Sequence, residues 1–374
     1  MGVPAWQQAS IRSLQYLLWT LLALSILAAG IWASFALWVQ LPVSAVLKVM
    51  AITLWWLLSL IVLGTLFKHL NAKCVKASLT QARPSKTGIN FSKYFYHSLL
   101  VYVAAVITLL VWWQSIEPKQ NRQWAADVSR LLQVEQHGNL VTLHNVRNFD
   151  WRTPTDFTPR WETRQYDLNK LSSLDVITSY WMGPPIAHVL LSFGFDDGQY
   201  LTFSIETRRE HHEGFSTIGG FFRMFELSLI AADERDILYT RSNVRGEQVY
   251  LYRMDISRQN IRRLFDSYLE EAHELEKQPR FYNTLTSNCT TIVFDMARLI
   301  DPGLPLDYRI ILSGYLPQYI YEHHGFNTTL SFKQLQRQAY INPYAEAFAA
   351  SGSQSSQAYS QAIRHNIQTR TNFQ

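Results

Sequence analysis

A cysteine at the predicted start of a helix is the residue of this chain best suited to nucleophilic chemistry. Cys289 lies in the run TSNCTT at 286–291, directly before an apolar stripe with helical spacing. Ser287 or Asn288 can cap that helix, which places the thiol in its first turn. There the helix dipole and free backbone N–H groups favour a thiolate and can bind an oxyanion. The alternative is a buried cysteine with a structural role.

A thiolate nucleophile needs a general base, and His188 is the best placed histidine of the C-terminal half. It lies in a predicted strand, IAHVLL at 186–191, whose other residues are apolar, so its ring needs a partner. We expect Glu206, on the next strand across a hairpin, to orient the imidazole, although it need not lie directly opposite. The alternatives are a core histidine bonded to a backbone carbonyl and a Glu206 carboxylate paired with Arg208 or Arg209.

The other histidines of this half are expected to face solvent. His211 and His212 lie in the polar run RREHHE at 208–213, and His323 and His324 precede a glycine. The sequence holds no His-Glu-x-x-His motif and no second cysteine near these positions. We therefore predict neither a metal nor a cofactor.

The elements that must position these residues form a predicted α+β domain over about 117–330. Asp196-Asp197-Gly198 predicts a hairpin turn, Ser257 is a plausible cap, and apolar residues recur at helical spacing from Ile261 to Leu275. The remaining 331–374 are rich in Gln, Ser and Ala, and we expect a loosely ordered tail. The pattern predicts a short helix at 174–181 and strands at 140–146, 165–168, 186–195, 200–207, 227–232, 237–241 and 248–254.

Residues 1–116 are predicted to form a membrane anchor. Three runs without Asp, Glu, Lys or Arg each reach the roughly 20 residues that an α-helix needs to cross a bilayer. A core helix rarely lacks a charge over such a length. We therefore predict transmembrane helices at about 14–39, 44–67 and 94–115.

Loop charge predicts the orientation of these helices. The connection at 68–93 carries six Lys and Arg residues and no acidic residue, whereas the first connection offers only Lys48. Basic loops stay cytoplasmic. We therefore expect a bacterial inner-membrane protein with a cytoplasmic N-terminus and a periplasmic C-terminal domain. This topology separates Cys74 from Cys289, so the two cannot pair.

The net charge of +5 largely reflects this topology. We see no basic stripe interleaved with aromatic residues in the C-terminal region, so nucleic acid is not an expected partner. The expected partners are the lipid bilayer and a cell-envelope substrate.

Several blocks in the C-terminal half resemble the Lnb N-terminal periplasmic domain family, over about 160–300. They read WMG at 181–183, AHVLLSFGF at 187–195, SIETRRE at 204–210, GGFFR at 219–223 and NTLTSNCTT at 283–291. A strand histidine followed far downstream by Asn-Cys at a helix start is also similar to the circularly permuted papain-like hydrolases, including the lecithin:retinol acyltransferase-like group.

The second resemblance implies a permuted papain-like antiparallel sheet with Cys289 as nucleophile, His188 as base and Glu206 as the third polar residue. The expected function is a membrane-anchored thiol hydrolase or acyltransferase. Its substrate would be an amide, ester or thioester of the cell envelope: a peptidoglycan peptide, a lipoprotein or a lipid. The alternative is a non-catalytic envelope assembly factor or chaperone that keeps a papain-like shell.

Overall fold

The computed structural model describes residues 5–78 and 91–367. The chain forms two compact units, and the boundary between them falls between Glu117 and Pro118. Residues 79–90, which include Arg83 and Lys86 of the basic connection, and the side chain of Cys74 lie outside the described residues.

The first unit consists of three apolar helices, α1 (Ala5–Gln40), α2 (Ala45–Ser78) and α3 (Phe91–Gln114). Each contains a stretch long and apolar enough to cross a membrane, at Ser13–Gln40, Ala45–Asn71 and Ser92–Gln114. The prediction of three apolar N-terminal helices is confirmed.

Small and polar side chains hold these helices together. A Cβ at Gly30 would lie only 2.9 Å from the Trp56 ring, so glycine permits this approach of α1 and α2. Trp56 Nε1 donates to Ser34 Oγ at 2.9 Å, and Thr65 and Ser98 share a hydrogen bond of 2.8 Å. Such contacts are typical of helices in lipid, where apolar burial does not drive association.

The second unit is a mixed helix and sheet domain, as predicted in outline. Its strands are β1 (Gln133–His137), β2 (Leu140–Arg147), β3 (Asp150–Trp151), β4 (Phe157–Thr158), β5 (Trp161–Asp167), β6 (Leu171–Tyr180), β7 (His188–Phe195), β8 (Tyr200–Arg208), β9 (Glu226–Ala232) and β10 (Gln248–Arg253). Its helices are α4 (Thr217–Phe221), α5 (Glu234–Tyr239), α6 (Arg258–Lys277), α7 (Thr291–Ile300), α8 (Leu316–Glu322), α9 (Phe332–Ala339), α10 (Asn342–Ala350) and α11 (Ser356–Ala362).

The main sheet has the strand order β1-β2-β9-β8-β7-β6-β10, and β5 pairs with β2. Its pairs are antiparallel except for a single parallel contact between β2 and β9. Strand β7 has apolar side chains on both faces, so other elements must pack on both faces of the sheet. Val189 and Phe193 pack into one core with α6 and α7, while Leu190 packs into a second core on the opposite face.

Local patterns predicted several elements correctly. The Ser257 side chain accepts from the Asn260 N–H and caps α6, and the apolar residues of the predicted stripe are buried. The turn at 196–198 joins β7 to β8, with Gly198 at φ +81°. The predicted strands at 140–146, 165–168, 186–195, 200–207, 227–232 and 248–254 overlap β2, β5, β7, β8, β9 and β10.

Two predicted elements are wrong. The segment 174–181 belongs to strand β6 instead of a helix, because β6 lies between β7 and β10 with both faces covered and therefore lacks an alternating pattern. The segment 237–241 is helical instead of extended. Asp233 starts α5 by accepting from the Arg235 N–H at 2.9 Å, and a π-helical turn, Thr240–Val244, follows.

The prediction of a loosely ordered tail is also wrong. Helices α9, α10 and α11 form there, and Phe348, Tyr359 and Ile363 pack into the core on the second face of the sheet. Arg364 is fully buried and binds Asp175 Oδ2 at 2.8 Å and Glu234 Oε1 at 2.6 Å. The polar composition of the segment did not indicate this structural role. An arginine is expected at the surface unless its buried acidic partners, here Asp175 and Glu234, are known. Residues 368–374 of the predicted tail lie outside the described residues.

Replacing Arg364 by alanine is expected to destabilise the second unit by about 3–5 kcal/mol, because the buried Glu234 loses its cation and the buried Asp175 keeps only Arg253 of its two. The measurement is urea-dependent proteolysis of the full chain in detergent. Arg337→Ala, on the exposed face of α9, is the matched control and should change little. Equal resistance of the two variants would contradict a structural role for the buried arginine.

Candidate active site

The pairing of β7 with β8 brings His188 and Glu206 together. Leu190 pairs with Ser204, and two further residues on each strand place Glu206 opposite His188. The ring Nε2 of His188 lies 3.2 Å from Glu206 Oε1. The sequence did not require the two to face each other directly, and the register of the hairpin shows that they do.

Ser204 completes this contact and was not foreseen. His188 Nε2 lies 2.7 Å from Ser204 Oγ, and that hydroxyl donates to Glu206 Oε1 at 2.7 Å. Because the hydroxyl proton is directed at the carboxylate, Nε2 must carry a proton and donate to the serine oxygen. The available signal was the spacing, since residues two apart in a strand share a face.

Cys289 lies two residues before helix α7, and Asn288 caps that helix. Asn288 Oδ1 accepts from the backbone N–H of Thr290 at 2.8 Å and of Thr291 at 3.0 Å. The Asn288 amide in turn donates to Thr284 O at 2.8 Å, which fixes the loop. Of the two predicted caps, the asparagine therefore has this role.

Cys289 is 8% exposed, and its sulfur lies close enough to the His188 imidazole for each group to shift the pKa of the other. The Thr290 hydroxyl oxygen lies 3.9 Å from the sulfur. The structure thus brings Cys289, His188 and Glu206 together in one line. Since Nε2 faces the serine and the carboxylate, Nδ1 is the ring nitrogen left for the sulfur.

The charges of this line favour an imidazolium paired with a thiolate. Burial and the charge of Arg241 lower the pKa of His188, but Glu206 and Cys289 outweigh them and raise it to about 9. Burial raises the pKa of the Cys289 thiol, yet the charge and hydrogen bond of His188 bring it below its ordinary value. Burial likewise raises the pKa of Glu206, and His188 and Arg241 hold it well below the usual range.

Arg241 is a second neighbour of the carboxylate that sequence reasoning missed. Its Nη2 donates to Glu206 Oε1 at 2.9 Å, and its Nη1 lies 3.5 Å from Glu247 Oε2. It lies on the π-helical turn Thr240–Val244, a feature found often at functional sites. No local sequence pattern indicates that Arg241 contacts the site, because its partner Glu206 lies 35 residues earlier in the chain.

The alternative ion pairs for Glu206 are wrong. Arg208 instead donates to the carbonyl oxygens of Val128 and Ser129, and Arg209 binds the carboxylate of Asp127 at 2.8 Å. The histidines expected to face solvent, His211, His212, His323 and His324, are exposed and lie outside the site.

The three residues line a cavity of about 640 Å³, whose other lining residues are of two kinds. The charged ones include Arg147, Arg241, Arg245 and Glu247. The apolar ones, which we call the apolar wall, include Trp181, Met182, Ile186, Phe215, Phe221, Leu285, Ile311 and Leu312.

Close backbone contacts fix the loops around this cavity. Ser313 Oγ accepts from the Ala187 N–H at 3.0 Å and donates to the Ala187 carbonyl at 2.6 Å. The Gly314 N–H donates to Pro185 O at 3.0 Å, and a side chain at position 314 would collide with the backbone of Pro184. These contacts hold the chain on either side of His188 in place.

Removing the Glu206 carboxylate is expected to shift the pH dependence of Cys289 alkylation. In Glu206→Gln the imidazolium loses the anion that raises the pKa of His188, so the thiolate loses its cation and forms only at higher pH. The measurement is the iodoacetamide rate against pH for the full chain carrying Cys74→Ser.

Glu210→Gln is the matched control, because Glu210 pairs with Arg122. An unchanged midpoint in Glu206→Gln, or a parent thiol that titrates like free cysteine, would show that the three residues do not act together.

One comparison with known protein families gives a match. Residues 157–314 match the model of the Lnb N-terminal periplasmic domain family. No curated protein and no solved structure matches the chain. The matched segment contains β6, β7 and β8 as well as the loop that carries Cys289. The segment 157–314 of this chain is therefore an Lnb N-terminal periplasmic domain by family, and Cys289 and His188 lie within it.

Proposed function

We propose that the protein is a membrane-anchored periplasmic thiol hydrolase or acyltransferase. The observation that carries this proposal is the line of Cys289, His188 and Glu206 at the wall of an open cavity. A buried structural cysteine would need neither an imidazolium nor a substrate-sized space beside it. The reaction would break an amide, ester or thioester of a cell-envelope substrate.

In this reaction the Cys289 thiolate attacks the carbonyl carbon, and the carbonyl electron pair moves to its oxygen. Collapse of the tetrahedral intermediate expels the leaving group, which takes a proton from the His188 imidazolium. The product of this half is a thioester on Cys289. Water, an amine or a hydroxyl group then attacks the thioester while His188 accepts its proton, which releases the acyl product and restores the thiolate.

Two donors near the sulfur could stabilise the oxyanion. The N–H groups of Thr290 and Thr291 are already bonded to Asn288, so the start of the helix is less open than the sequence predicted. Among the described residues, the backbone N–H of Cys289 itself has no acceptor. The Tyr282 hydroxyl also lines the cavity, and burial raises its pKa, so it stays protonated as a donor.

The order of elements supports a permuted papain-like arrangement. His188 opens a strand of a mainly antiparallel sheet, and Cys289 follows about a hundred residues later, directly before a helix. Glu206 takes the third position through the neighbouring strand. We include this fold relationship in the proposal.

The apolar wall favours a substrate with an acyl chain. Trp181, Phe215, Phe221 and Leu285 offer a hydrophobic surface next to the thiol, where an alkyl chain gains free energy with each methylene removed from water. A peptidoglycan peptide is polar and would leave this wall unused. We therefore favour a lipoprotein or a lipid over peptidoglycan.

Replacing Cys289 by serine should abolish function without loss of protein. The substitution keeps the side-chain volume and replaces a thiolate by an alcohol that His188 activates far less well. The measurement is complementation of the envelope phenotype of a deletion strain, with membrane abundance checked by immunoblot. Cys74→Ser is the control and should complement fully.

Full complementation by Cys289→Ser at normal abundance would replace thiol catalysis with the assembly-factor or chaperone function. The rate at which iodoacetamide alkylates Cys289 in the full chain carrying Cys74→Ser also distinguishes the two functions. A catalytic thiol should react much faster than free cysteine near neutral pH.

We also propose that the N-terminus is cytoplasmic and the second unit periplasmic in the inner membrane. The basic connection at 68–93 and the family match both favour this orientation. Reporter fusions after residue 80 should be cytoplasmic and fusions after residue 150 periplasmic. The reverse pattern, or evidence for two spans, would overturn the orientation.

A further inference from the structure

The mouth of the cavity is surrounded by exposed apolar side chains, which we name the apolar rim. Large apolar residues on a soluble surface usually occur singly, whereas a contiguous patch marks an interaction site. Their exposed fractions range from 44% to 63%. The members of the rim are Trp181, Met182, Phe215, Ile218, Phe221, Leu285 and Ile311.

Specific contacts join the rim into one patch. All of its members except Ile218 line the same cavity, and Ile218 lies on α4 between two residues that do. The rings of Trp181 and Phe215 meet edge to face with centroids 6.5 Å apart. Thr284 Oγ1 donates to Thr217 O at 2.9 Å and ties the loop of Leu285 to α4.

The segments that carry most of the rim have no charged residue. Residues 181–187, 214–222 and 282–291 contain no Asp, Glu, Lys or Arg, and Glu213 directly precedes the second of these segments. The first charged residue beyond α4 is the cation Arg223, whose guanidinium lies over the Phe281 ring. An apolar surface bordered by a cation and containing a tryptophan is typical of a protein face that enters a lipid headgroup layer.

The chain enters the domain beside this rim. The Lys119 N–H already donates to Glu226 Oε1 at 2.9 Å, five residues after the end of α3 at Gln114. Glu226 forms a bridge with Phe281, which directly precedes the cavity residue Tyr282. Since five extended residues span at most about 18 Å, only a short tether connects α3 to this part of the domain.

From these observations we propose that the apolar rim docks onto the lipid bilayer and opens the cavity toward it. The rim inserts its aromatic and aliphatic side chains among the lipid headgroups, and Cys289 lies behind the mouth they form. An acyl chain then reaches the thiol from the bilayer without crossing water. The docking stands on the rim and the tether alone and does not require the thiol to be catalytic.

The test places an environment-sensitive fluorophore at Ile218→Cys and, separately, at Ile311→Cys. The full chain carries Cys74→Ser and Cys289→Ser and is reconstituted as single copies in nanodiscs of phosphatidylethanolamine and phosphatidylglycerol. Leu140→Cys is the matched control. It has a similar exposure of 43% but lies at the start of β2, seven residues and about 23 Å along the strand from the cavity residue Arg147.

Docking predicts blue-shifted emission at both rim positions and strong quenching by lipids brominated on their acyl chains. The label at 140 should stay water-exposed and unquenched. Ile218→Glu, introduced with the label at 311, should reduce the quenching at 311. Rim labels as exposed as the control would overturn the proposal.

A second copy of the chain or another protein on the rim would give a different result. Labels that are equally shielded in amphipol, where no bilayer exists, would show a protein contact and overturn the proposal. The rate at which iodoacetamide alkylates Cys289, measured in the full chain carrying Cys74→Ser, separates this inference from the proposed function. If Cys289 is unreactive while lipids quench the rim labels, the proposed thiol catalysis is wrong and the docking proposal stands.

Discussion

The register of the β7–β8 hairpin is the constraint on which the candidate site depends. The turn at 196–198 sets it, and Phe195 N–H closes the hairpin by donating to Gln199 O at 3.0 Å. A strand shifted by one residue turns every side chain to the opposite face, so a slip would direct Glu206 away from His188. The same hairpin carries Ser204, whose hydroxyl lies between the two side chains. One hairpin therefore positions His188, Ser204 and Glu206.

Charges alternate in sign along the lining of the cavity. Cys289, His188, Glu206, Arg241 and Glu247 follow one another, and the Ser179 hydroxyl donates to the last carboxylate. Each ion taken from water costs several kcal/mol unless an opposite charge and hydrogen bonds replace the lost hydration. Each charge in this series has an opposite charge beside it, which offsets the cost. The alternation also explains why Arg241, on the π-helical turn, contacts Glu206 on β8.

The sequence predicted those features that are encoded locally. The stripe of α6, the cap before α7 and the hairpin turn each lie within a few residues, so spacing alone reveals them. Arg241 was missed because it meets Glu206 only through the tertiary fold, and its segment has the pattern of a strand. Arg364 was missed for the same reason, since its two acids lie far away in the sequence. The membrane helices were easy to locate because a run of about 20 residues without charge is rare outside a bilayer.

The buried ion pairs of Arg364 with Asp175 and Glu234 constrain the order in which the domain can be completed. Asp175 belongs to β6, which lies between β7 and the edge strand β10, and its bond to Arg364 spans 189 residues. Until residue 364 is in place, Arg253 is the one cation partner of Asp175 among the described residues, and Glu234 has none there. Completion of the domain interior therefore waits for a residue close to the end of the described chain. A domain shortened before residue 364 would keep the whole sheet and still lack the charge that balances its buried acids.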